Sequence, residues 1–97
     1  MKEEEIVKIY KALSVKSRLR ILKLIKNKEL CVNAITQRLE ISQPAVSQHL
    51  SILKKTGLVK SSRYGSIIHY KMNKNRLDNF KKSVKKHLGA EFILLKE

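Results

Sequence analysis

The stretch "SQPAVSQHLSILKK", residues 42–55, predicts a helix whose outer face is polar but carries almost no charge. Ser42 is a favourable N-cap, and Pro44 falls in the first turn, where the missing N–H costs nothing. Apolar residues recur at i, i+4 and i+7 and are expected to point inward: Val46, Leu50 and Leu53. The opposite face then carries Pro44, Ser47, Gln48, Ser51 and Lys55. Such a face is unusual in a chain that is 31% charged.

A shorter helix precedes this one and is joined to it by a turn. Ile35 and Leu39 lie one turn apart and predict a helix of about two turns, with Asn33 as its N-cap. Residues 40–42 form the turn, and Gly57 is expected to end the second helix as a C-cap. Two helices joined by a short turn, the second with small polar side chains outside, make a helix-turn-helix.

The next segment, "GLVKSSRYGSIIHYKMN", predicts a β-hairpin with strands over residues 58–62 and 67–72. Gly65 supplies the flexibility that the turn over residues 63–66 needs. A helix-turn-helix followed by a hairpin is a winged helix. We therefore expect one domain over residues 1–97 that is mainly α with a small β-hairpin: a winged helix-turn-helix of five helices and a wing.

The polar face of helix 43–56 and the wing 58–72 are suited to DNA. Gln pairs with adenine edges and Ser with several bases, whereas Lys and Arg contact phosphates. The candidate DNA-binding residues are Gln43, Ser47, Gln48, His49, Ser51, Lys54, Lys55, Arg63, Tyr64 and Gly65. For His49, packing inside the protein with a hydrogen bond competes with DNA contact. A solvated Ser/Gln surface without function is the alternative for the helix face.

The charge of the whole chain favours a polyanionic partner, because 22 Lys and Arg face eight Asp and Glu for a net charge of +14. Double-stranded DNA fits the helix-turn-helix. A non-specific nucleic-acid or chromatin-coating protein is the main alternative, and a winged-helix protein-interaction module is another. No catalytic set of residues is recognisable, so we do not expect an enzyme. The single cysteine is typical of a cytoplasmic protein, and no apolar run predicts a membrane span.

Both ends of the chain predict helices with an apolar stripe. Pairing them across a two-fold axis would bury the stripes in a homodimer, while packing onto their own domain is the alternative. The residues expected in the dimer interface are Ile6, Ile9, Tyr10, Leu13, Leu77, Phe80, Val84, Leu88 and Phe92.

The chain resembles the ArsR-type family of winged-helix repressors. The segments "KALSVKSRLRILKLI", "ELCVNAITQRL" and "ISQPAVSQHLSILKKTGLV", followed by the wing, match the family pattern in order over residues 11–72. The resemblance implies a homodimer that binds an inverted-repeat operator and represses transcription. It also implies release by an inducer, often a metal or metalloid.

The metal-binding patterns of the family are incomplete in this chain. Arsenic- and cadmium-responsive members read Glu-Leu-Cys-Val-Cys, but Asn33 follows Val32 here and Cys31 is the only thiol. A second family site, on the last helix, lacks its first His, and only His87 and Glu91 remain as a pair. Soft metals need more than one thiolate. We therefore expect no metal or other cofactor. A small-molecule or redox inducer stays unidentified. For Cys31, the role of a small buried apolar residue is favoured over that of a redox-sensing thiol.

Overall fold

The computed structural model describes residues 1–89. All five predicted helices are present in it. The helices are α1 (Glu3–Leu13), α2 (Lys16–Leu24), α3 (Val32–Leu39), α4 (Gln43–Lys55) and α5 (Lys74–Leu88), and the strands are β1 (Leu30–Cys31), β2 (Val59–Tyr64) and β3 (Ile67–Met72). The predicted winged helix-turn-helix is thus confirmed. None of the helices in these 89 residues is long and apolar enough to cross a membrane.

The wing belongs to a three-stranded antiparallel sheet of order β1-β3-β2. Its hairpin turn is tighter than predicted, because β2 runs on to Tyr64, which pairs with Ile67. Only two residues connect the strands, and Gly65 adopts a φ of +64° that other residues avoid. The third strand, β1, was not predicted: it is two residues long, too short for a recognisable period, and pairs with β3 through Leu30 and Tyr70.

The core lies where the five helices meet the sheet. The most completely buried side chains are Ile9, Ile21, Ile25, Ile35, Val46, Leu50, Leu53, Leu58 and Val59. The inward face predicted for α4 is confirmed, since all three of its apolar residues are in this set. Each fully buried aliphatic side chain stabilises the fold by about 1.5–3 kcal/mol.

The boundaries of the two helix-turn-helix elements differ in how well local rules predict them. Ser42 caps α4 as expected, its Oγ accepting a hydrogen bond from the N–H of Ala45 at 3.2 Å. The N-cap predicted for α3 is wrong: the helix begins at Val32, Cys31 occupies the cap position without a side-chain bond, and Asn33 lies exposed in the first turn. The chain enters α3 directly from β1, so the strand pairing decides where the helix starts.

More residues of the apolar stripes of α1 and α5 are buried in the protein's own core than was predicted. Four residues assigned to the dimer interface are buried within this chain and have almost no surface left for a partner: Ile6, Ile9, Phe80 and Val84. That assignment is corrected for them, because other residues of the same chain already cover their side chains. Leu13 and Leu77 are half-buried against the same core. Phe92 lies outside the described residues.

Candidate DNA-binding surface

The outer face of α4 is a continuous exposed strip of short or neutral side chains. Gln43, Ser47, Gln48 and Ser51 are all exposed, and Lys54 and Lys55 are exposed in the last turn. On the opposite side of the helix, Val46, Leu50 and Leu53 are buried in the core, so the helix cannot rotate to hide its polar face. The strip therefore offers hydrogen-bond donors and acceptors along most of its length and positive charge at one end.

The C-terminal end of α4 is fixed by Arg76 from α5. Its Nε donates to the carbonyl of Thr56 at 3.0 Å, and its Nη2 donates to Glu5 of α1 at 2.9 Å. The hydrogen bond from Arg76, aided by the backbone N–H of Lys2, lowers the pKa of Glu5. Gly57 follows in a left-handed conformation, with φ at +82°, and the guanidinium lies close against it. Sequence reasoning missed Arg76, because its partners are distant in the chain.

His49 lies on the inner edge of α4 and is held by Arg18 of α2. The Nε of Arg18 donates to Nδ1 of His49 at 3.2 Å, and its Nη1 donates to the carbonyl of Ala12 at 3.3 Å. This contact requires a lone pair on Nδ1 and hence a neutral ring. Burial, and then the charge of Arg18, lower the pKa of His49. The packing interpretation of His49 thus has direct structural support, whereas its DNA contact stays a prediction.

Tyr64 is tied to the body of the domain rather than projecting freely from the wing. Its hydroxyl donates to the carboxylate of Glu29 at 3.1 Å, and its ring lies 5.0 Å from that of His69. Lys71 adds an ion pair to the same carboxylate at 3.7 Å. Arg63 and Gly65 stay exposed at the tip. These contacts fix the position of the wing relative to α2 and β1.

No group of three or more His, Cys, Asp or Glu side chains that could hold a metal ion lies within residues 1–89. His87 is engaged with its own helix, with Nδ1 2.7 Å from the carbonyl oxygen of Ser83. Glu91, its predicted partner, lies outside the described residues. Cys31 is half-buried at the start of α3.

Comparison with known proteins matches the chain to a family of bacterial regulators. Residues 16–61 fit the model described as "Bacterial regulatory protein, arsR family". The chain is 39% identical to the HTH-type transcriptional regulator MJ1325 of Methanocaldococcus jannaschii, over 86% of this chain and 94% of that protein. It is 35% identical to the transcriptional repressor SdpR of Bacillus subtilis, over 67% of this chain and 72% of that one. The chain belongs to the ArsR family.

Other relatives and solved structures of ArsR type agree with the fold. A transcriptional repressor SmtB homolog of Synechocystis is 33% identical over 88% of this chain, which spans 64% of that protein. An ArsR-like transcriptional regulator from Rhodococcus superposes with a TM-score of 0.80 at 28% identity, over 92% of this chain and 83% of that one. The homodimeric winged helix-turn-helix DNA-binding domain Mb0332 of Mycobacterium bovis superposes with a TM-score of 0.73 at 28% identity, over 82% of this chain and 75% of that one.

As an ArsR-family member, the chain is a winged helix-turn-helix DNA-binding transcriptional regulator. The segment that matches the family model runs from the start of α2 into β2 and contains all of α3 and α4. The exposed strip of α4 therefore lies within the part of the chain that defines the family.

Proposed function

We propose that this ArsR-family chain is a cytoplasmic, homodimeric repressor that binds an inverted-repeat operator through α4 and the wing. The observation that carries the proposal is the outward face of α4, where Ser47, Gln48 and Ser51 are exposed on a helix anchored by buried residues. A major groove admits one helix, and side chains of this size and polarity can meet base edges there.

Different residues of the surface are assigned to bases and to phosphates. Gln48 is assigned to an adenine edge, and Ser47 and Ser51 are assigned to other bases, to which a hydroxyl can donate or from which it can accept. Lys54, Lys55 and Arg63 neutralise phosphates and position the helix without reading sequence. Tyr64 acts as a brace for the wing, since its hydroxyl is held by Glu29 in the free protein.

A homodimer supplies two copies of α4, one for each half of the operator. Three exposed apolar side chains on α1 and α5 are available for the partner: Val7, Tyr10 and Leu88. The homodimeric state of the Mycobacterium bovis domain supports this assembly. Two recognition helices related by a two-fold axis contact half-sites about 34–36 Å apart, one turn of the duplex.

We assign no resident metal or cofactor to this regulator and no catalytic role. The second candidate function is a coating protein that binds nucleic acid without sequence preference, which the net charge of +14 favours. Selection of bound sequences from a random DNA pool separates the two, because only an operator-binding regulator enriches a shared inverted repeat.

The decisive experiment compares Gln48→Ala with Lys55→Ala in salt titrations on the selected operator and on a scrambled duplex. We expect Gln48→Ala to cost about 1–3 kcal/mol on the operator and little on the scrambled DNA, because it removes a base contact. Lys55→Ala should weaken both complexes by a similar factor.

The matched control for this experiment is Asn75→Ala, which removes an exposed amide from the face of α5 opposite Val84. This variant should bind both duplexes like the wild type. Equal weakening of both DNAs by Gln48→Ala would favour the coating protein over the regulator proposed here.

A further inference from the structure

A positively charged cleft of about 300 Å³ runs between α1 and α4, beside the surface assigned to DNA. Four basic residues line it: Lys8 and Lys11 from α1, Arg18 from α2, and Lys55 from α4. The lining contains no carboxylate. Its floor is formed by Ala12, Ile52 and Thr56. The cleft is therefore open to solvent, apolar at its base and uniformly cationic at its rim.

None of the four basic side chains of the cleft forms a salt bridge with a carboxylate of residues 1–89. Among residues 1–89 the two salt bridges are Arg76 with Glu5 and Lys71 with Glu29. Lys8, Lys11 and Lys55 are all exposed. Arg18 is held in place by its bonds to His49 and Ala12, so it contributes a fixed positive charge at the back of the cleft.

The geometry of α1 explains why two lysines reach the same cleft. Lys8 and Lys11 are three residues apart and therefore neighbours on one face of the helix, with Cβ atoms about 5–6 Å apart. Ala12, next to them, is buried and lines the cleft together with Ile52 of α4. Ile6 and Ile9 anchor the opposite side of α1 in the core, so the lysine side cannot turn away.

The cleft continues the DNA-binding strip of α4 without a break. Ser47, Ser51 and Lys55 follow each other at steps of four residues along one ridge of the helix. Lys55 ends this ridge and also lines the cleft, so a duplex seated on α4 passes directly from the ridge to the lysines of α1. An anionic backbone is the only part of that duplex whose charge complements all four cations.

From this continuity we infer that the α1–α4 cleft is a second phosphate-binding site, which holds the DNA backbone beside the C-terminal end of α4. This inference rests on the proposed function, because it takes the operator duplex as the ligand. The wing and the cleft then contact the backbone at separate points. Lys8 and Lys11 contribute affinity but no sequence preference, since they contact phosphates rather than bases.

The test is a salt titration of the Lys8→Ala, Lys11→Ala double variant on the selected operator. Each phosphate contact contributes about 0.9 to the slope of log K against log[salt], so loss of two contacts should make the slope shallower by about 1.8. The same change should appear on scrambled duplex, because the lost contacts carry no sequence information. Ethylation interference should identify phosphates whose ethylation blocks binding of the wild type but not of the double variant.

The matched control is Lys81→Ala, Lys85→Ala, which removes the same charge from exposed positions of α5 outside the cleft. It should keep the wild-type slope. A second variant, Lys8→Gln with Lys11→Gln, retains the long side chains and guards against a loss of folding.

Two outcomes of this experiment are distinguishable. If the Lys8/Lys11 variants and the α5 control change the slope equally, the cleft contacts no phosphates and the inference is wrong, although the operator-binding function stands. If selection yields no inverted repeat, the proposed regulator fails, while the slope measured on random duplex still decides whether the cleft binds a DNA backbone.

Discussion

His49 is the residue of α4 whose protonation state is set by the fold. Its Nδ1 accepts a hydrogen bond from Arg18, and burial together with that charge lowers its pKa below the ordinary value of 6.5. As pH falls, the unfolded chain therefore takes up the proton before the folded one does. The free energy of unfolding should decrease as pH drops below about 6.5, and the decrease should end once the folded ring is protonated too.

Urea unfolding of the wild type and of His49→Gln at several pH values between 8 and 5 tests this expectation. The variant should lack the part of the pH dependence that His49 contributes, because the two proteins differ at this position alone. Parallel stability curves for the two proteins would contradict the assignment of His49 as the group responsible.

Some functional residues were predictable and others were not, and sequence separation explains the difference. Ser42 and the inward residues of α4 follow from cap preference and helical period, which act within a few residues. Arg18 and His49 are 31 residues apart, and Arg76 and Glu5 are 71 apart. Neither pair has a local pattern, because a hydrogen bond between distant side chains exists only once the elements have packed.

Among the elements, α4 is held at both ends by different means. Its start depends on the local cap of Ser42, but its end depends on α5, since Arg76 binds the Thr56 carbonyl and covers Gly57. A Cβ on Gly57 would lie 3.0 Å from the Nε of Arg76. Substitution here should therefore loosen the junction between the DNA-binding helix and the helices that carry the proposed dimer surface.

Gly57→Ala should destabilise the protein more than Gly65→Ala. Both glycines have positive φ, at +82° and +64°, and a side chain in this region costs about 1–2 kcal/mol. Gly65 has no atom within 4 Å of a new Cβ, so its variant carries the backbone cost alone. The difference between the two unfolding free energies, measured in urea, reports the contact with Arg76. Equal losses would mean that this contact adjusts without cost.

Element boundaries departed from expectation mainly where strand pairing decides them, as in the extension of β2 to Tyr64. The period of apolar residues predicted all five helices and both strands of the wing. It did not predict β1 or the start of α3 at Val32, because Leu30 and Cys31 become a strand only by pairing with Tyr70 and His69. The same pairing brings Glu29 next to the wing, where it binds Tyr64.

For the molecule as a whole, the terminal helices have two roles that the sequence did not separate. Their apolar stripes predicted contact with a partner, yet Ile9 and Val84 complete the core of their own domain. A stripe shows which residues avoid water but not which surface covers them. The structure leaves a smaller apolar patch, in which Tyr10 is 38% and Leu88 is 53% exposed beside a groove of about 340 Å³.

This patch should hold the homodimer together, and Leu88→Glu should disrupt it. A carboxylate placed in an apolar interface loses hydration without gaining a partner, so we expect the dimer Kd to rise by more than tenfold, equivalent to about 1.4 kcal/mol or more. Sedimentation at micromolar concentration should show dimers for the wild type and monomers for the variant. Operator affinity should fall as well, since the two half-sites are no longer bound by one assembly.

Leu19→Glu is the matched control for this prediction, because Leu19 of α2 is exposed to a similar extent, 51%, but lies outside the patch. That variant should remain dimeric and bind the operator normally. Val84→Glu should behave differently from both, since it places a charge in the core of the protomer and should lower the unfolding temperature rather than release a folded monomer. A wild-type chain that sediments as a monomer throughout the micromolar range, or a dimeric Leu88→Glu, would show that the patch is not the interface.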